Sequence, residues 1–255
     1  MRLTPLLLRG LALLLASLPP VQGETLRLRT DTWMPFNGDP ASALPGYAVE
    51  VLRLVMAPHG ITVDYQNMPW SEALEACAEG KVDAIVGANT VEASKLVLPK
   101  ESIGAPRVGL FIAAANPWKY TNIPALASVR LGVIKDYKYF GALDNYIARN
   151  AGPGVVTFPD GEQLESAIKQ LAAGKIDVLA EVYPVFAWTA RNAGFKPDQF
   201  RLAYLHEGES VYFAFAPNEA GRRYAQLFDQ GIRQLRSSGQ LEEILKRYGQ
   251  QDWAP

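Results

Sequence analysis

Hydrophobic and polar positions along this chain switch between two periods, and the switches fall at short, turn-rich joints. Thr25-Leu26-Arg27-Leu28-Arg29-Thr30 alternates apolar and polar, which reads as a strand with one buried face. Tyr47 to Ala57 sets Tyr47, Val51, Leu54 and Val55 at helical spacing, between a Pro45-Gly46 break and a Pro58-His59-Gly60 stop. Ile61 to Tyr65 reads as a second strand, and Pro69-Trp70-Ser71 opens a second helix. The same rhythm predicts strands over 107–115, 129–134, 155–158, 201–205 and 211–216, and helices over 139–150, 163–173 and 183–192. The last forty residues are helical: Leu227, Phe228, Gly231, Ile232 and Leu235 share a face, and Gly239 interrupts before Leu241, Ile244, Leu245 and Tyr248. Strand and helix alternating across short joints predict doubly wound, parallel α/β sheets.

One stretch occurs twice. Gly80-Lys81-Val82-Asp83-Ala84-Ile85-Val86 has a partner 94 positions later, Gly174-Lys175-Ile176-Asp177-Val178-Leu179-Ala180, and each copy follows an amphipathic run. A helix ends at a glycine that takes the left-handed conformation, a lysine keeps the turn solvated, and a short apolar run enters a buried strand. Two copies at a domain-sized separation predict two similar lobes.

Composition narrows the function classes. The 255 residues are 49% apolar and 20% charged, ordinary for a globular chain with material for two cores. The first 23 residues have a basic start (Arg2, Arg9), an apolar run from Leu11 to Leu18 and a small-residue end at Val21-Gln22-Gly23. They read as a secretory signal peptide cleaved after Gly23. Without the two leader arginines, 23 basic residues face 26 acidic ones, which argues against nucleic acid and against an anionic membrane surface. The single cysteine, Cys77, forms no internal disulfide and falls on the buried face of its helix. The expected product is a monomeric periplasmic protein without a cofactor.

Three stretches carry a resemblance. Asp31-Thr32-Trp33-Met34-Pro35-Phe36, the helix–Gly–Lys–x–Asp–Ala strand with its polar turn (Leu74 to Asn89), and the closing helices from Leu227 to Gly249 resemble family 3 periplasmic solute-binding proteins in order and spacing. The resemblance covers nearly all of Glu24 to Gly249. It implies the type II Venus flytrap fold, two α/β lobes joined by a two-segment hinge. Residues 24–112 and 211–255 are then the first lobe and 113–210 the second, with crossings near Phe111–Asn116 and His206–Val211.

Where ligand would sit, the chain departs from that family. Members that bind amino acids hold the α-carboxylate with an Arg after the first polar turn and the ammonium with an Asp on the second lobe. Here the Arg position falls on Lys95 or, aligned on Thr90, on Ala93; the Asp position falls on Val182, one residue past Glu181. The small turn after the Gly132-Val133 strand is replaced by Lys135-Asp136-Tyr137-Lys138-Tyr139. The expected ligand-binding residues are Asp31, Trp33 and Trp70 as carboxylate and aromatic walls, Asn89 and Thr90 as hydrogen-bond donors, Lys95, Tyr137, Lys138 and Tyr139, and Glu181. Trp33 is the stronger wall of the two tryptophans, and Lys95 is equally well a solvated surface residue. His59 and His206 read as structural.

The resemblance implies a subunit that captures a small polar solute, an amino acid or an amine, for an ABC importer, with a membrane permease as partner. Two alternatives stand beside it: a periplasmic dehydratase-like enzyme on the same fold, with Glu181 as general acid, and a free-standing sensor docking on a receptor. The chain lacks the Gly-x-Ser-x-Gly, His-Glu-x-x-His and Gly-x-x-x-x-Gly-Lys-Ser/Thr motifs, and two histidines make no convincing metal site.

Overall fold

A computed structural model describes residues 23–254 except 151, 153 and 160–163; the leader expected over 1–23 lies outside them but for Gly23. Two sheets organise the chain. The first has the order β2-β1-β3-β9, built from β1 (Glu24–Thr30), β2 (Ile61–Asn67), β3 (Ala84–Ala88) and β9 (Tyr212–Phe215). The second has the order β6-β5-β7-β4-β8, from β4 (Val108–Ala113), β5 (Leu131–Ile134), β6 (Val155–Phe158), β7 (Val178–Val182) and β8 (Phe200–Leu205). Helices α1 (Tyr47–Met56) and α2 (Trp70–Ala78) connect the first sheet, and α3 (Gly141–Arg149), α4 (Leu164–Ala172) and α5 (Tyr183–Asn192) follow strands of the second. Helices α6 (Glu219–Ser237) and α7 (Gln240–Arg247) end the chain, parted at Gly239 as expected.

Both sheets are parallel where strand–helix–strand units build them and antiparallel where the chain changes lobe. β1 runs parallel to β2 and β3, and β5 parallel to β6 and β7. β9 pairs antiparallel with β3, and β4 antiparallel with β7 and β8. This corrects the expected lobe boundary. The strand Val108–Ala113 belongs to the second sheet, with Val108 opposite Val182 and Leu110 opposite Ala180, so the first crossing lies ahead of Val108 and not at Phe111–Asn116. An apolar run buried on both faces fits either sheet, and nothing in its own residues says which. The segment between β8 and β9, from Leu205 to Tyr212, leads from the second sheet back to the first. The crossings touch: the Val211 N–H donates to the Gly104 carbonyl at 2.9 Å and the His206 N–H to the Val108 carbonyl at 2.8 Å.

The repeated stretch is a strand-start clamp made twice. Asp83 accepts from the Arg27 backbone N–H (2.8 Å), Nε (2.9 Å) and Nη2 (2.9 Å), and Arg27 Nη2 also reaches the Gly80 carbonyl. Asp177 accepts from the Arg130 N–H, Nε and Nη2, each at 2.8 Å, and Arg130 Nη2 reaches the Gly174 carbonyl at 2.6 Å. Gly80 and Gly174 carry φ of 73° and 66°. Each motif thus turns its helix into its strand and pins the neighbouring parallel strand, through a bidentate guanidinium–carboxylate pair. Under these sheets Leu26, Leu28, Leu52, Ile85 and Phe213 pack with no exposure in the first lobe, and Leu110, Leu131, Val178 and Leu179 in the second. Cys77 is buried there, and burial pushes its thiol up to about 12.

Candidate functional site

The carboxyl ends of β1, β3, β5 and β7 meet the two crossings around a cavity of about 80 Å3. Open parallel sheets leave such crevices at their carboxyl edges because the loops there part to opposite faces. The cavity is small against pockets of roughly 300–1,000 Å3 that take drug-sized molecules, which suits a compact solute.

From the first lobe, the loop after β1 supplies Asp31 and Trp33. The loop is tied down on itself and on α1: the Trp33 N–H donates to the Asn37 carbonyl at 2.8 Å, and the first N–H groups of α1, Tyr47 and Ala48, donate to the Pro35 and Phe36 carbonyls at 3.0 Å. Those N–H groups have no partner within the helix, so the loop satisfies them. Trp33 stacks on Phe36 with ring centres 4.1 Å apart and lies against Gly87. A Cβ at Gly87 would come within 2.9 Å of the Trp33 ring, and Gly87 has φ of 94°, so the position requires glycine twice over.

After β3 the chain makes one helix-like turn. The Asn89 side-chain oxygen accepts from the Val91 and Glu92 N–H groups, both at 2.9 Å, while a Glu92 oxygen accepts from the Asn89 N–H at 3.1 Å. This reciprocal pair is a capping box. It sets positions 89 and 92 on the inner side of the turn. Glu92 lines the cavity and accepts from the Trp70 indole N–H at 3.3 Å. Burial raises the Glu92 carboxyl above its ordinary range, against the hydrogen bonds from Asn89 and Trp70.

From the second lobe, Asp136 takes a left-handed backbone (φ 62°) in the turn after β5, a conformation Asp tolerates better than most residues. Tyr137 then reaches across the cleft and donates its hydroxyl to Asp31 of the first lobe. Burial and the nearby Asp31 and Glu181 carboxylates hold the Tyr137 phenol well above its usual range. Tyr139 is buried, its hydroxyl accepting the Ile134 N–H at 2.8 Å. Glu181, at the end of β7, is 1% exposed. One of its oxygens accepts the Val182 N–H at 2.6 Å, and the other, Oε2, has no hydrogen-bond partner among the described residues. Burial, added to by the Asp31 charge, pushes its carboxyl up to about 8.

Of the ten residues expected at the site, Asp31, Trp33, Trp70, Asn89, Tyr137, Lys138, Tyr139 and Glu181 line this cavity. Thr90 and Lys95 do not; both are exposed. In a one-turn helix, residues three apart share a face, so Glu92 stands beside Asn89 while Thr90 turns outward. Ala93, the other position offered for the family's Arg, is buried in an apolar cluster that also holds Trp70 and Ala73. Sequence reading missed Glu92, and also Glu207 and Glu209 on the second crossing, which line the mouth. The Asn-x-x-Glu spacing after a strand is the signal that could have found Glu92. A second, larger groove of about 350 Å3 lies between Tyr248, Trp253, Trp188 and Arg191.

The family model of the bacterial extracellular solute-binding proteins, family 3, matches residues 26–251. No sequence-similar curated protein was found. Among solved structures, the arginine-, lysine-, histidine-binding protein ArtJ from Geobacillus stearothermophilus shares 18% identity, with a TM-score of 0.72 over 90% of this chain and 97% of that one. A solved structure concerned with glutathione import in Gram-positive bacteria via GshT and the cystine ABC importer TcyBC of Streptococcus mutans shares 19% identity, with a TM-score of 0.74 over 91% of this chain and 98% of that one. A histidine kinase sensor domain with similarity to periplasmic binding proteins shares 21% identity, with a TM-score of 0.69 over 88% and 95%. Each likeness is one of fold. With the family match running from β1 to the end of α7, the chain belongs to the bacterial extracellular solute-binding proteins of family 3.

Proposed function

We propose that this protein captures a small polar solute between its two lobes by hinge closure and presents the closed form to a membrane partner, an ABC permease. The observation that carries the reading is the cavity itself: it is walled from both lobes, and the Tyr137 hydroxyl bridges them by donating to Asp31. A solute that touches both walls stabilises the closed arrangement over the open one, and it can do so only by that difference in contact. Trp33 and Trp70 supply rigid aromatic area, and the Asp31 and Glu181 carboxyls supply polar anchors. After removal of residues 1–23 the protein would work in the periplasm, as a monomer and without a cofactor.

A receptor in place of the permease is the second reading, favoured by the fold-level likeness to the histidine kinase sensor domain. The enzyme alternative would use the buried Glu181 carboxyl as general acid, and prephenate is the substrate to try; no turnover is expected. The binding reading is tested by thermal unfolding of the purified protein against a broad library of amino acids, amines and small acids. A bound solute raises the midpoint by mass action. At least one strong shift is expected, and a library without any would remove the reading.

A further inference from the structure

We infer that the solute is a small amine without a carboxylate, held by an N–H that donates to the buried Glu181 Oε2 at the cavity wall. This rests on the solute-binding reading above and names the ligand class of the same cleft.

Three features of the cavity lead there. The first is the orphaned oxygen: Glu181 is 99% buried from solvent in the sense that only 1% of it is exposed, it lines the cavity, and its Oε2 has no partner among the described residues. A buried polar atom left unpaired costs the desolvation of that group, so a ligand that pairs with it recovers that cost. A quaternary ammonium has no N–H to give and would leave the oxygen as it is. The second is the charge of the lining. Asp31, Glu92, Glu181, Glu207 and Glu209 stand against Lys138 as the single Lys or Arg among the lining residues. The Lys138 ammonium acts on Glu92 and Asp144, where it offsets part of the rise that burial gives both carboxyls. An α-carboxylate on the ligand would therefore meet carboxylates and no guanidinium. The third is the apolar part of the wall, Trp33, Val86, Val108 and Val211 among it, which takes an apolar body.

Proton release follows from the surroundings of Glu181. It faces Asp31 from the first lobe, Tyr137 and Tyr139 from the turn after β5, and the Val182 N–H on its own strand; opposite it on β4 stands Gly109, which has no side chain. None of these is a cation, so the empty cleft keeps the carboxyl protonated at neutral pH, its value near 8. An ammonium placed on Oε2 favours the ionised form, and the proton leaves to solvent: carboxylic acid plus ammonium gives an ion pair plus one released proton. Observed affinity should then rise about ninefold from pH 6 to 7, about fivefold from pH 7 to 8, and level above that until the amine itself loses its proton near 10.

Matched pairs separate the possibilities. Ethanolamine, 1,4-diaminobutane and 2-phenylethylamine are titrated calorimetrically beside serine, ornithine and phenylalanine and beside the corresponding acids. At pH 7, in two buffers of different ionisation heat, an amine that binds should release close to one proton. Its affinity should climb from pH 6 to 8 as above, and Glu181→Gln should flatten that climb. The wild-type proton count stands even where Glu181→Gln does not fold. Tighter binding of the amino acid or acid, affinity that falls with rising pH, or no amine binding while another solute binds would overturn the inference and leave solute binding standing. Failure of every member of a wide library would overturn solute binding itself.

Discussion

Trp33 holds its place because Gly87 has no side chain, and several functional expectations reduce to such single contacts. Gly87→Ala forces a Cβ to within 2.9 Å of the indole on a left-handed backbone, so it should displace Trp33 and weaken ligand at least tenfold in calorimetric titration, with a lowered unfolding midpoint. Trp33→Ala should cost about ten- to a hundredfold in affinity through lost aromatic contact, while Lys95→Ala, outside the cavity, should change affinity by less than about twofold in the same titration. Glu181 also makes a stability statement for the empty protein. Its carboxyl keeps a proton up to about 8 in the folded chain against 4.5 ordinarily. Between those values the folded state holds more protons than the unfolded, so stability falls as pH rises and stays reduced above about 8. Glu181→Gln should remove that fall, worth on the order of several kcal/mol at pH 8.5 and little at pH 4, as read from urea unfolding of ligand-free protein. Carboxylates and aromatics following strands were legible in the sequence as cleft residues. Glu92 was not, because its place depends on a capping turn whose partner residue is three positions away.

Among the elements, the doubled Gly-Lys-x-Asp stretch is the part of the fold most open to sequence reading, and its function proves structural. Asp83 clamps Arg27 in the middle of β1, and Asp177 clamps Arg130 just ahead of β5. Asp177→Ala leaves the Arg130 N–H and Nε without their acceptor, with Nη2 still held by the Gly174 carbonyl, and should destabilise by about 1–2 kcal/mol, read as a lower urea midpoint. The Asp177 carboxyl is held below its ordinary value by Arg130. The clamp's contribution is therefore complete at neutral pH and is lost as pH falls through the carboxylate range. Strand and helix positions were legible because each element keeps its own period. Sheet membership of β4 was not: a run buried on both faces carries no mark of its neighbours, and only the antiparallel pairing with β7 and β8 decides it.

For the whole molecule, one expectation concerns maturation and one concerns motion. Glu24 opens β1 and its carboxylate accepts from Arg223 and Tyr224, so cleavage after Gly23 would leave a first strand complete from its first residue. N-terminal sequencing of protein from the periplasmic fraction should begin at Glu24; an intact leader there would contradict this. The motion is the central claim. Two crossings join the lobes, and the Tyr137–Asp31 hydrogen bond spans the cavity between them, so an empty protein should sample open arrangements that a bound solute suppresses. Small-angle X-ray scattering of one preparation, first stripped of ligand by unfolding and refolding and then saturated with the solute found by thermal shift, measures this directly. A smaller radius of gyration on saturation is expected, and a radius unchanged at saturation would contradict hinge closure as the mode of capture.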